Sequence, residues 1–272
     1  MSKLSSRKKG RGAARMLWLA AAAIPLLSWQ ASQEDLESLL DKLSQRTKLS
    51  LDYKSWRASV VSTITKMDKS WNPEEVLLVS KNIGSSDEGE PREEILKAQQ
   101  TKKGKTTDVT QKYAEEGRKE REKARKRRAE EQTKTSADEK HGGGAMSLDE
   151  FLPFSKSKRK DFEFRLQNPP ASEGPAVAVL ETRAKVKGPR NWEGTFSFNP
   201  ETFDLISLEL RPSQNPKMVK ELAMRIDFEV LQFRYLVLKR TQFKVNGGIF
   251  IKHVRQIVED VYSDFEVLDK QN

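Results

Sequence analysis

The sequence predicts a mainly β protein with a few helices (α+β): an antiparallel open half-barrel with a helical lid, plus a charged insertion that is helical or disordered. Three patterns predict it. From Pro153 to Val267, short alternating or branched apolar segments follow one another between Gly, Pro and Asn breaks, as in a strand meander. Leu36, Leu39, Leu40 and Leu43 recur at helical spacing in an otherwise polar stretch. Residues 106–146 mix both charge signs with few apolar side chains and offer no face to a core. The chain accordingly divides into 1–31, a signal peptide or N-terminal anchor; 32–105, a helix and the first strands; 106–146, the charged insertion; and 147–272, the strands that complete the barrel.

Residues 1–16 are basic and 16–29 (M-L-W-L-A-A-A-A-I-P-L-L-S-W) are uncharged and mostly apolar, the layout of a secretory signal. The apolar run is shorter than the roughly 20 residues a spanning helix needs. Ala31 suits the residue before a cut, while Trp29 is bulky where a small side chain is preferred, so an uncleaved inner-membrane anchor stays open beside a cleaved signal. Either reading sends the chain out of the cytoplasm, to the periplasm.

Helix 33–46 follows, with Ser32 as N-cap and Glu34 and Asp35 in the first turn. Its leucine face must pack on something, because a helix of this length is marginal alone in water. Residues 53–67 and 75–83 are rich in Val, Ile, Thr and aromatics around the turn signal Trp71-Asn72-Pro73, which predicts two antiparallel strands. Arg92–Gly104 fits a polar strand or a helix.

In the insertion, Glu115/Lys119 and Glu122/Lys126 stand four apart, and such pairs contribute about 0.2–0.5 kcal/mol each, against about 1 kcal/mol for Gly117. A frayed, solvated helix or disorder is expected, ending in His141-Gly142-Gly143-Gly144. Arg121, Lys123, Arg125, Lys126, Arg127 and Arg128 are its candidate contacts to an anionic surface. Interspersed glutamates and the lack of stacking aromatics argue against nucleic acid.

Ser147–Pro153 reads as a helical turn, followed by strands at 161–166, 176–186, 195–198, 205–210, 221–230, 234–245, 249–258 and 261–267, with breaks at Asn199-Pro200, Pro212–Pro216 and Asn246-Gly247-Gly248. In 221–230 the apolar Leu222, Met224, Ile226, Phe228 and Val230 alternate with polar or small positions. A helix would also align several of these, but Met224 and Phe228 would overwiden its apolar face. In the hairpin G-T-F-S-F-N-P-E-T-F-D-L-I-S-L-E-L-R-P, Gly194–Pro212, the side chains Phe196, Phe198, Ile206, Leu208 and Leu210 are expected on one face. A closed barrel and a sandwich remain alternatives to the half-barrel.

Composition limits the chemistry. The 272 residues carry a net charge of +10 with a mean hydropathy of -0.74, but Lys3, Arg7, Lys8, Lys9, Arg11 and Arg15 in the signal supply six of those charges. Cysteine is absent and histidine is limited to His141 and His253, which removes disulfides, thiolate sites and N-terminal acylated cysteine. No nucleophile–His–acid set and no phosphate loop is visible. The reading is a non-enzymatic protein without cofactor or metal, and a monomer.

The signal, the leucine helix, the strand with Trp56, G-T-F-S-F-N-P-E-T-F-D-L-I-S-L-E-L at 194–210 and V-Y-S-D-F-E-V at 261–267 together resemble the outer-membrane lipoprotein-sorting (LolA-like) group of exported bacterial proteins. The similarity covers Trp56–Ile83 and Pro153–Val267, and the charged insertion lies outside it. The resemblance implies an unclosed antiparallel barrel whose apolar concave face holds acyl chains beneath helices. On that reading Phe196, Phe198, Leu222, Met224, Ile226 and Phe228 line the lipid face and Leu36, Leu39, Leu40 and Leu43 form the lid. The expected partners are acyl chains of lipid or lipoprotein, with an anionic membrane surface as a second contact. The alternative is a non-catalytic cell-envelope scaffold with a filled barrel and a basic arm on anionic lipid.

Overall fold

A computed structural model describes residues 33–53, 55–85, 91–134, 151–167, 176–249 and 252–268. The signal or anchor, its cleavage position and the His141 glycine tract lie outside the described residues. Helix α1 spans Gln33–Ser50 and is followed by β1 (Trp56–Met67), β2 (Pro73–Ser85), β3 (Pro91–Lys102), β4 (Lys105–Asp108) and helix α2 (Thr110–Lys134). After a short α3 (Lys156–Arg159) come β5 (Phe162–Gln167), β6 (Ala178–Ala184), β7 (Trp192–Phe198), β8 (Leu205–Pro212), β9 (Val219–Leu231), β10 (Tyr235–Ile249) and β11 (Lys252–Val267).

The eleven strands among the described residues form one antiparallel sheet in the order β4-β3-β2-β1-β11-β10-β9-β8-β7-β6-β5. The sheet is open: β4 and β5 are its edges, and the two sequence blocks join where β1 pairs with β11. The predicted open antiparallel architecture is therefore the one observed.

The register fixes two faces. Residues opposite one another share a face, so Ala98, Val79, Ser62, Asp260, Thr241, Ile226, Leu208, Phe196 and Leu180 form one continuous inner row across nine strands. Over β6–β10 this inner face is the core, with Leu180, Phe196 and Leu208 fully buried and Leu40 and Leu43 of α1 packed on them. Each such Leu or Phe stabilises the fold by about 1.5–3 kcal/mol. Helix α1 thus uses its predicted leucine stripe, and it runs on to Ser50, whose hydroxyl donates to the Arg46 carbonyl at 2.8 Å.

Three local expectations change. Arg92–Gly104, readable either way, is strand: β3, followed by a tight turn into β4, with positive φ at Lys103 and Gly104. Asn246-Gly247-Gly248 is not a break but part of β10, which ends at Ile249, and the two strands expected over 249–258 and 261–267 are replaced by one, β11, from Lys252 to Val267. Gly247 serves close approach rather than a turn, since a Cβ on it would stand 3.0 Å from Val219 Cα.

The third change is in the hairpin. The register shifts between Ser197 and Phe198, so that Phe198 opposes Leu205 while Phe196 opposes Leu208. This bulge turns Leu205 inward and leaves Ile206 exposed, whereas Phe196, Phe198, Leu208 and Leu210 share the core as expected. The turn itself is held by Asn199, whose side-chain oxygen accepts from the Glu201 and Thr202 amides.

Candidate apolar binding face

The inner face has a covered half and a less covered half. Over β6–β10 it is roofed by α1 and by Phe151, Leu152 and Phe154. The Phe154 ring meets Phe196 edge-on at 4.9 Å, and Phe151 meets Trp192 at 5.1 Å. Of the residues expected to line a lipid face, Phe196, Phe198, Met224, Ile226 and Phe228 are buried beneath this roof, and Leu222 is half-buried at its margin. The expected lid side chains occupy the same core, Leu40 and Leu43 wholly and Leu36 and Leu39 in part.

Two arginines fasten the roof. Arg159, 9% exposed, donates to the Phe154 carbonyl from Nε at 3.1 Å and Nη2 at 2.6 Å. It also reaches Glu37 at 2.6 Å and Asp41 at 2.9 Å, both on α1. At the other end of α1, Arg46 Nε donates to Asp204 at 2.5 Å in the β7–β8 turn, and Nη2 donates to the Phe233 carbonyl at 3.1 Å. Ionic contacts of this kind set position more than they add stability.

Towards β11, β1 and β2 the inner face continues as a second row, Leu210–Met224–Phe243–Val258–Ile64–Leu77. Met224 and Leu210 are buried, while Phe243, Val258, Ile64 and Leu77 are half-buried. Helix α1 lies against β10 and α2 against β3, so this strip falls between the two helices. The next row outwards ends on charge: Glu75 accepts from Lys66, from Gln100 Nε2 at 2.9 Å and meets Lys102 Nζ at 3.3 Å. These bonds outweigh burial and hold its carboxyl down at about 2.

The row on the other side of the strip is polar at its centre. Ser62 stands opposite Asp260, and Asp260 opposite Thr241. The Ser62 hydroxyl is buried without a hydrogen-bond partner among the described residues. Beside them burial pushes the Tyr262 phenol up to about 12.

Over β6–β10 the outer face is mostly polar, whereas on β1, β2 and β11 it carries the exposed Val61, Leu78 and Val261. A cavity of about 730 Å³ crosses β6–β10 there, and each of its three carboxylates is paired: Glu209 with Arg225 at 2.6 Å, Glu193 with Lys187 at 2.6 Å, Glu181 with Arg183 at 2.8 Å. Burial would raise the Glu193 carboxyl, but Lys187, the Ala184 amide and Arg211 bring it below its ordinary value. Among the described residues no cluster of His, Asp or Glu could hold a metal ion.

Of the cations expected to meet an anionic surface, Arg121 pairs with Glu93, Lys123 with Glu120 at 2.7 Å and Lys126 with Glu122 at 2.8 Å. The side chains of Arg125, Arg127 and Arg128 lie outside the described residues. Sequence reasoning missed the strip and the arginines. Alternation at Phe243/Val245 and Ile64 was a usable signal for the strip, but the β1–β11 pairing that joins them has none in the sequence.

A scan against protein-family models finds no match, and neither does a search of the curated proteins. Among solved structures, the chain is similar to a domain described as an outer membrane lipoprotein-sorting protein from Vibrio parahaemolyticus, at 9% identity and a TM-score of 0.36 over 86% of this chain and 93% of that one. A LolA superfamily protein from Nitrosomonas europaea aligns at 10% identity and a TM-score of 0.34, over 86% and 94% of the two chains. A DUF1329 family protein from Desulfovibrio piger aligns at 7% identity and a TM-score of 0.38, over 87% and 94%.

Proposed function

We propose that this chain is an exported, non-catalytic carrier that holds an acyl chain of a lipid or lipoprotein on the inner face of its open sheet, in the periplasm. The observation that carries the reading is the half-buried strip Phe243–Val258–Ile64–Leu77, which runs without a polar break into the core beneath α1. Four strands at about 4.8 Å spacing give that strip a width of roughly 15 Å. Burial of about ten methylenes on it would yield ~8 kcal/mol, the scale of micromolar affinity, before ordering costs. Displacing α1 from its two arginine fastenings would add Phe196, Phe198, Leu222, Met224, Ile226 and Phe228 to the same floor, with Leu36, Leu39, Leu40 and Leu43 as the lid that returns.

Native mass spectrometry of protein purified from cells tests this. Co-purified lipid that is lost on Ile64→Arg, with the circular dichroism spectrum retained, is the expected result. Lipid-free protein that takes up no fluorescent fatty acid would overturn the carrier. The filled platform, a cell-envelope scaffold, would then be the reading, since the roofed half of the sheet already has a complete core.

A further inference from the structure

The β9–β10 turn presents an aromatic ring to solvent. Phe233 is 96% exposed, against less than 60% for Leu49 and Leu268, which lie on the same rim. Gln232 and Phe233 both have positive φ, 52° and 57°, a conformation residues with a Cβ seldom adopt. It is held in place: Leu231 pairs with Tyr235, the Arg234 amide donates to the Leu231 carbonyl at 3.0 Å, and Arg46 donates to the Phe233 carbonyl.

The rim around this tip is one packed unit. Leu49 lies on α1 three residues beyond Arg46. The Tyr53 hydroxyl donates to the Leu236 carbonyl at 3.1 Å, and its ring meets Tyr235 and Phe265 edge-on at 6.0 and 6.1 Å. The Leu268 amide donates to Ser55 at 2.8 Å. Among the described residues its charges largely cancel: Arg46 is paired with Asp204 and Glu266 with Arg57, leaving Lys48 and Arg234 against Asp52.

We propose that this rim is a membrane-docking surface and that Phe233 is its wedge, seated in the headgroup–acyl boundary of a lipid bilayer. A protein partner of ordinary affinity requires a broad face of about 800 Å² with anchors set in pockets. A single projecting ring flanked by two leucines instead fits a soft, deformable medium, where aromatic side chains favour the interfacial layer. Because the rim is nearly neutral, apolar burial and not headgroup charge drives the contact, so it persists at high salt. The inference does not depend on any bound cargo. It places the membrane one hydrogen bond from α1, through Arg46.

The absence of cysteine makes a site-specific test direct. Phe233→Cys in the full chain carries a polarity-sensitive dye, and Gln214→Cys in the β8–β9 turn, on the opposite rim, is the control. With phosphatidylcholine–phosphatidylglycerol vesicles, a blue shift is expected at 233, absent at 214 and unchanged by high salt. Without any dye, Phe233→Ser should weaken vesicle partitioning by about tenfold while near-ultraviolet dichroism stays native. Co-sedimentation without a shift at 233, equal shifts at both positions, no vesicle binding, loss of the signal at high salt, or unaltered partitioning of Phe233→Ser would each overturn the proposal. Lipid extraction from the same protein reads the carrier function separately, so either idea can fail alone.

Discussion

Gly194 of β7 lies against Glu209 of β8 so closely that a Cβ built on it would stand 2.0 Å from the Glu209 carbonyl oxygen. Its φ of 152° is itself one that L side chains rarely adopt. The contact brings β7 and β8 together in the middle of the hairpin that fills the core. Gly194→Ala should destabilise the protein by about 3 kcal/mol or more, since backbone cannot swing aside as a flexible side chain would. Urea denaturation measures it, and a loss below ~1 kcal/mol would show that the strands part without cost.

Arg159 ties both Glu37 and Asp41 of α1 to the segment carrying Phe151–Phe154. Arg159→Met keeps an apolar stem but leaves the buried Phe154 carbonyl without its donors. A loss of about 2 kcal/mol is expected. Faster amide exchange should appear in α1 before β9, because the roof loosens while the sheet keeps its ladder. Uniform acceleration across α1 and β9 would contradict a local fastening role.

Glu75 makes stability depend on acid. Its folded pKa is depressed from 4.5 to about 2 by Lys66, Gln100 and Lys102, so the unfolded state binds the proton first. The stabilisation is complete above pH 4.5 and is lost as pH falls from there through about 2. Glu75→Gln should flatten the stability profile in that window relative to the parent protein. Parallel profiles for the two proteins between those limits would rule the group out.

The elements whose side chains alternate cleanly were legible from sequence. In β9 the run Leu222, Met224, Ile226, Phe228 places its apolar residues on one face because nothing interrupts the pleat. Ile206 was misplaced because a bulge adds a residue to β8, and a bulge changes which residues point inward without changing composition. Gly247 was read as part of a turn because glycine signals both turns and close backbone approach; only the neighbouring strand distinguishes them. For the candidate site, the residues under α1 could be found by period, but the strip between the helices depends on which strands become neighbours. That is a long-range choice with no local signature.

The seam between β1 and β11 sets when the sheet can exist. Arg57 and Glu266, bonded across it, are 209 residues apart in the chain. The N-terminal strands can form hairpins with one another early, but their inner face meets the main core only after the last strand has docked. Closing a loop of that length costs little more than closing a moderate one, yet such distant pairings slow folding and leave edges exposed meanwhile. Removal of β11 alone would therefore leave two unfinished sheets, β1–β4 and β5–β10, and no joint between them.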